Sequence, residues 1–392
     1  MNWRSFSERI LGCLFVFGLA MSAPAQDEVF ESEHLEYRVV TVAEGFDHPW
    51  SIAFLPNGDM LVTERAGRLR VVRDGTLLPN PIEGVPEVRV RGQGGLLEVL
   101  PHPDFESNRF LYLSFSKPNE EGDGTTAIVR GRLEGNRLTG VEEIFEARAW
   151  SGSNIHFGSK LVIDPDGYLF ITVGERGARP AGVLESHPAQ DRSNHQGTVI
   201  RLHDDGRVPD DNPFVGQSGM LPEIWSYGHR NLQGLALHPE TGDLWETEHG
   251  PQGGDEFNLI RPGLNYGWPV IGYGVNYGED KTPIHESTRR DGMEQPIHYW
   301  VPSIATSGLL FYTGDPFGAW KGSVFVGGLA GQQIARLTLE GRQVVAEETL
   351  LEGFGRIRDI RQGPDGYIYL AIDDRCGEPT PVVRLEPATS EN

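Results

Sequence analysis

LVIDPDGYLFITVGE, residues 161–175, is the segment whose reading decides the fold, because IRQGPDGYIYLAIDD at 360–374 repeats its Pro-Asp-Gly-Tyr tip between similar runs. Each segment is a β-prone run, a turn, and a second β-prone run. Asp and Gly at the tip accept the positive φ of a tight turn, so both segments read as β-hairpins. Looser copies stand at 53–64 (AFLPNGDMLVTE), 99–115 (VLPHPDFESNRFLYLSF), 235–250 (LALHPETGDLWETEHG) and 309–328 (LLFYTGDPFGAWKGSVFVGG). Runs such as GRLRVV (67–72), TAIVRGRL (126–133), GTVIRL (197–202), QIARLTL (333–339) and VVRLE (382–386) supply further strands. Helical periodicity over ten or more residues is hard to find.

Six hairpins with neighbouring strands predict an all-β fold, a six-bladed β-propeller of four-stranded antiparallel blades. A β-sandwich or two smaller β domains is the alternative. No linker or composition break divides the chain, so one domain is expected over residues 26–392. YRVVTVA (37–43) is expected to close the ring beside the C-terminal strands, and the non-strand insertions 176–195 and 271–300 to wall one end of it.

Fifty glycines and 27 prolines with 38% hydrophobic residues describe a turn-rich globular chain of 392 residues. A formal charge of −22 speaks against a nucleic-acid partner, which requires a basic footprint. It leaves room for a small anion held by a few local arginines. At the N-terminus Arg4 and Arg9 precede the apolar run Ile10 to Met21, and Ala23-Pro24-Ala25 follows. That pattern predicts a signal peptide over residues 1–25 and export to the periplasm, with a retained anchor as the alternative. No other stretch approaches membrane-spanning length. Cys376 alone remains after such cleavage, so no intramolecular disulfide is expected.

Candidate chemistry concentrates between Trp225 and Pro269, WSYGHRNLQGLALHPETGDLWETEHGPQGGDEFNLIRPGLNYGWP. Arg230 and Asn231 offer a fixed cation and an amide that can stabilise charge on an oxygen. GPQGGDE (250–256) joins carbonyls at Gly250 and Pro251 to carboxylates at Asp255 and Glu256, a donor set suited to Ca²⁺ without EF-hand spacing. Arg356 and Arg358 alternate on a strand and point the same way, with Ile357 opposite, and form a fork for a polycarboxylate. His156, just ahead of a hairpin, is a candidate general base. Gln93 sits among glycines that let a ligand approach closely. There is no P-loop, dinucleotide fingerprint, HExxH or GxSxG motif.

Taken together and in order, RGQGG, NIHFGSKL, YGHRNLQGLALHP, EHGPQGGDE, NYGWP and GRIRDIRQGPDG resemble the pyrroloquinoline quinone (PQQ) dependent soluble glucose dehydrogenases, and above all the exported aldose sugar dehydrogenases. The resemblance spans roughly residues 37–386. It implies a propeller with PQQ at its axis and His156 as catalytic base. By the same likeness Arg230 and Asn231 lie beside the quinone, and Gln93 contacts the cofactor. The carbonyls of Gly250 and Pro251 hold the Ca²⁺ that also binds PQQ. Asp255 is implied to orient His156, and the Arg356-Ile357-Arg358 segment to hold PQQ carboxylates. Glu256, Tyr266 and Tyr277 match positions used for a second calcium and the pocket wall. Where the glucose enzymes carry a lysine, this chain has Ala330, leaving the backbone of Gly328 and Leu329 to contact the cofactor.

The implied reaction oxidises the anomeric hydroxyl of an aldose to a lactone, with a soluble or quinone acceptor regenerating the cofactor. The mature chain is expected to work without a membrane span, as a monomer or homodimer. A calcium-dependent lactone hydrolase and a non-catalytic propeller binding module are the rival readings. The first would have no use for Arg356 and Arg358, and the second none for His156.

Overall fold

In the computed structural model, which describes residues 28–388, the Pro-Asp-Gly tip joins Leu161–Ile163 to Tyr168–Val173, with Gly167 at φ +84°. Thr198–His203 and Ile224–Tyr227 complete an antiparallel sheet of four strands, blade 3. Its second strand is buried along nearly its whole length because neighbouring blades cover both faces. The strand is therefore an apolar run and not an alternating one.

The same unit recurs around an axis. Pro49–Phe54 opens blade 1, Leu96–Pro101 blade 2, Leu232–Leu237 blade 4, Thr306–Phe311 blade 5 and Arg356–Gln362 blade 6. The result is a six-bladed β-propeller of four-stranded sheets with almost no helix. First strands pack against one another around the axis. Every junction between blades holds its own apolar core, such as Phe170, Val199, Leu232 and Leu244 between blades 3 and 4.

The outer strand of blade 6 comes from the other end of the chain. Glu36–Phe46 pairs antiparallel with Thr380–Pro387, and Val29–Glu31 adds a fifth strand outside it. The expected ring closure by 37–43 is thus present. The expected signal peptide over 1–25 lies outside the described residues, among which no helix is long and apolar enough to cross a membrane.

The two insertions do meet, where Leu184 packs with Val270, Ile271 and Met293, and where Arg290 Nη1 donates to Glu185. One boundary needs correction. The 271–300 segment ends in a strand, His298–Trp300, that pairs with Asp255–Ile260 as the edge of blade 4. Three residues bounded by Pro296 and Pro302 carry too little strand signal to be read beforehand.

The axis itself is filled with charge. Lys160 Nζ lies 2.9 Å from Glu98 and 2.8 Å from Asp359, and Arg361 bonds to both acids. Asp359 also accepts the amide of Ile52 at 2.9 Å. Blades 1, 2, 3 and 6 are therefore tied by one network whose acids are wholly buried. Burial alone would raise the Asp359 carboxyl, but Arg361 and Lys160 more than offset it and hold it below the usual range. A depressed acid contributes stability above its unfolded pKa and loses it as pH falls through the folded value. Lys160→Met should cost about 3–5 kcal/mol, because it leaves buried carboxylates short of a partner. Urea denaturation at neutral pH measures this, and an unchanged midpoint would mean the network is energetically neutral.

Candidate active site

Loops at one end of the axis enclose a cavity of about 520 Å³, inside the roughly 300–1,000 Å³ range of small-molecule sites. All six blades reach it, through Trp50, Leu97, Phe157, Asn231, Leu329 and Arg358 in turn. An axial position built this way brings together residues far apart in sequence.

One wall is cationic. Arg356 and Arg358 leave the first strand of blade 6 on the same side, and Arg65 joins them from blade 1. Asp374 and Arg375 also line it, and the Asp373 carboxylate faces the pair, 3.5 Å from Arg356 Nε and 3.9 Å from Arg358 Nη2. His48 Nδ1 lies 2.8 Å from the same carboxylate. Burial, with Arg356 and Arg65 as neighbouring like charges, pushes the Arg358 guanidinium down to about 10 despite Asp373. This wall holds more positive charge than its own acids neutralise, which suits an anion with several carboxylates. Ile357 turns the other way, into the core of blades 5 and 6, so its side chain takes no part in the wall.

His156 is 6% exposed, and its chain neighbours Phe157 and Gly158 line the cavity. Its backbone is left-handed, φ +58°, and its amide donates to Gln93 Oε1 at 2.8 Å. Its Nδ1 lies 2.5 Å from Glu175. Burial would raise Glu175, but the imidazole, Arg230 and the amide of Ala178 hold it low. An ionised carboxylate only accepts, so Nδ1 carries the hydrogen and Nε2 keeps its lone pair. Burial and then Arg230 lower the His156 pKa, with Glu175 opposing them.

The sequence expectation named Asp255 as the residue that orients His156. The structure assigns that contact to Glu175. Asp255 instead accepts from the Gly250 amide at 2.8 Å, from Ser303 Oγ at 2.8 Å and from the Ala305 amide at 2.7 Å. It pins the 250–251 turn to the start of blade 5. Glu175 follows the second strand of blade 3, while Glu248 and Asp373 are the last residues of theirs in blades 4 and 6. Those two acids pair with His229 and His48 in the same manner.

Arg230 Nη1 donates to the carbonyls of His249 at 3.0 Å and Gly250 at 2.7 Å, and Arg230 Nε has no partner among the described residues. Asn231 Oδ1 accepts from the Gly158 amide at 3.3 Å, while its Nδ2 is a buried donor without a partner. Gln233, missed in the sequence, links Asn231, the Gly158 carbonyl and Arg358 Nη1, the last at 3.1 Å. Ala330 lines the cavity as expected. Leu329 lines it too, but its amide is taken by the Ala305 carbonyl, while its own carbonyl accepts Arg356 Nη1 at 3.0 Å. Gly328 is not among the lining residues and pairs within blade 5. Tyr277 stands at the mouth, 71% exposed.

Gly250 and Pro251 front both this cavity and a smaller one lined by Glu248, Glu256 and Tyr266. Asn258 Nδ2 bonds to Glu246 at 2.8 Å and Glu256 at 3.1 Å, with Glu248 at 3.5 Å. His229, Glu246 and Glu248 converge closely enough to share a cation. Burial and then Glu248 push Glu256 up to about 8. The Tyr266 hydroxyl is not available to a metal. It donates to the Leu259 carbonyl at 2.6 Å and accepts the Arg261 amide at 2.9 Å, and its ring stacks on His229.

Against known proteins, the chain matches the Glucose / Sorbosone dehydrogenase family over residues 46–383. It belongs to that family. Aldose sugar dehydrogenase YliI of Escherichia coli is 43% identical, covering 87% of this chain and 91% of that protein. Quinoprotein glucose dehydrogenase B of Acinetobacter calcoaceticus is 33% identical over 90% and 88% of the two chains. Among solved structures, the PQQ-bound aldose sugar dehydrogenase of Streptomyces coelicolor superposes with a TM-score of 0.72 at 30% identity, covering 89% of this chain and 98% of that one. These relatives are sugar dehydrogenases by name, which supports an oxidoreductase, and this chain shares their fold.

The turn at Gly250 is one position where only glycine fits, since a Cβ there would lie 2.3 Å from the Gly253 carbonyl oxygen and from Gly254. Gly250→Ala should therefore destabilise the protein by about 1–3 kcal/mol, the usual cost of forced overpacking. Denaturant unfolding checks this, and wild-type stability would show that the turn relaxes freely.

Proposed function

We propose that this protein is an exported, PQQ- and Ca²⁺-dependent dehydrogenase that oxidises the anomeric hydroxyl of aldose sugars. The carrying observation is the arginine wall of Arg65, Arg356 and Arg358, held in one axial cavity beside a histidine–carboxylate pair. PQQ is a tricarboxylate, and this wall, with the Asn231 amide on the same lining, suits its acceptor atoms. Arg65 supplies a cation at the wall where Ala330 supplies none. A lactone hydrolase would have no use for three guanidiniums there.

When bound, PQQ would supply the hydride acceptor for oxidation of the sugar. Arg356, Arg358 and Arg65 would hold its carboxylates, with Asn231 and Gln93 beside it. The carbonyls of Gly250 and Pro251 would hold Ca²⁺, which supplies a Lewis acid. His229, Glu246 and Glu248, with Glu256 beside them, would hold a second cation, and relief of the acids' mutual repulsion favours one. The Tyr266 hydroxyl is excluded from that set, leaving only its backbone carbonyl.

His156 Nε2 takes the proton from the anomeric hydroxyl as the C–H bond breaks. Glu175 fixes the tautomer and stabilises the imidazolium that forms. Arg230, whose side chain reaches to the 250 turn, would stabilise negative charge as it develops on oxygen. The pH dependence follows from the lowered His156 pKa. The neutral base is present above that value, so the sugar-dependent step should rise with pH and level off below the ordinary histidine value near 6.5.

Chelator-treated protein should be inactive and recover on adding PQQ and Ca²⁺ together; full activity with a nicotinamide cofactor alone would overturn the reading. Arg358→Ala should weaken PQQ binding by about 1.5–3 kcal/mol, the worth of a charge-assisted contact, as read by calorimetry. Unchanged affinity would remove the arginine wall from the cofactor site.

His156→Gln should retain PQQ and slow its single-turnover reduction by an aldose by roughly 10²–10⁴-fold. A rate within about threefold of wild type would remove His156 from the role of base. Glu175→Gln should slow the same step at least roughly tenfold. It should also move the acid limb to lower pH, because the carboxylate that raises the His156 pKa is gone.

A further inference from the structure

Directly after Glu175 stands a cation that the mechanism above does not use. Arg176 is 1% exposed, and no carboxylate lies within ion-pairing distance of it among the described residues. Its bonds go to backbone instead. Nη1 donates to the Ile155 carbonyl, and Nη2 donates to Ser153 at 2.9 Å and Gly124 at 3.3 Å. Nε has no partner, and the guanidinium carbon lies 3.4 Å from the centre of the Phe157 ring. Burial pushes this guanidinium down to about 9, with Glu175 opposing and Arg89 adding to the fall.

A buried guanidinium without a counter-ion is costly, and an apolar side chain of similar size would fill the same space more cheaply. The bonds it makes point to its purpose. Two of its three acceptors lie in the residues leading into His156, and its own amide donates to the His156 carbonyl at 3.2 Å. Arg89 grips the same loop from blade 2's side, bonding Asn154 Oδ1 at 3.0 Å and the Gly152 carbonyl at 3.3 Å. Both His156 and Arg176 have positive φ, at +58° and +62°, a conformation that side-chain-bearing residues adopt only when their surroundings impose it.

We infer that Arg176 is a positioning residue for His156: its guanidinium, spread over the carbonyls of Ser153 and Ile155, holds the loop in the left-handed turn that sets the imidazole against Glu175. The inference rests on the reading of His156 as general base. Arg176 is also one of the charged or titratable groups around that ring, with Glu175, Arg230 and His249, and it opposes a positive imidazole.

Arg176→Met and Arg176→Lys separate the two contributions. In the PQQ-loaded Met variant the single-turnover reduction by an aldose should fall roughly 10–100-fold, the usual effect of losing a residue that orients an active group. Its acid limb should move to higher pH, since a cation that disfavours imidazolium is gone. PQQ affinity should stay within about threefold, because Arg176 is not among the residues lining the cavity. The Lys variant should return the limb toward wild type but not the rate, because one ammonium cannot span the same carbonyls. A folded Met or Lys variant with both rate and limb unchanged overturns the inference, as does a loss confined to PQQ affinity. Arg176→Gln serves if the Met variant fails to fold. Nitrogen NMR of the histidine rings in the purified protein, with His156→Gln assigning the resonance, keeps the base reading separate. A His156 Nδ1 resonance that moves in Arg176→Lys, which keeps the charge, supports the clamp even if His156→Gln proves active, and an unmoved resonance counts against it.

Discussion

Six sheets packed around one axis leave their first strands facing a narrow centre, and that centre must be filled by something that suits every blade. Here it is filled by the Lys160, Glu98, Asp359 and Arg361 network, which pairs every charge it buries. Lys160 Nζ also lies 4.6 Å above the Trp50 ring, and Trp50 and Leu97 are floor residues of the axial cavity. The charges that hold the blades together thus sit directly below the place where a ligand would lie. Lys160 is only four residues past His156, so the loop bearing that histidine is anchored to the same network.

The protein as a whole carries a charge of −22, yet its cavity has an arginine wall. The contrast is local in origin. Arg356 and Arg358 project from one strand, Arg65 follows the second strand of blade 1, and Asp373 and Asp374 stand among them with Arg375. Bulk composition excludes a polyanion such as nucleic acid without bearing on a small anion inside a cavity. The dense negative cluster of Glu246, Glu248 and Glu256 is a few residues away in blade 4, and Arg230 lies between the two regions, its amide on Glu248 and its side chain on Gly250.

The fold was legible because hairpin chemistry is local: Asp-Gly and Asn-Gly tips declare themselves within four residues. The arginine fork was legible for the same reason, since alternation on a strand fixes which side chains share a face. The partner of His156 was not. Asp255 and Glu175 are both acids near glycines, and only the packing of blade 3 shows that Glu175 returns to the histidine while Asp255 holds a turn in blade 4. The Tyr266 hydroxyl is spent on Leu259 and Arg261, and the Leu329 amide on Ala305, bonds that the sequence does not display. In each case the deciding bond joins residues whose proximity no spacing rule announces.

The clasp of blade 6 has a consequence in time as well as in space. Tyr37 pairs with Pro387 and Phe46 with Thr380, so strands from opposite ends of the chain share one sheet. During synthesis the first of these strands emerges long before its partner exists. Five blades can assemble by local hairpin pairing, but the ring stays an open arc until the final strand is added. Contacts so distant in sequence form slowly and late. A cavity to which every blade contributes, and a central network spanning blade 6 to blade 3, become complete only when the arc shuts. Ligand capture is therefore expected to be the last event in the maturation of the chain, available only to protein whose two ends have already met.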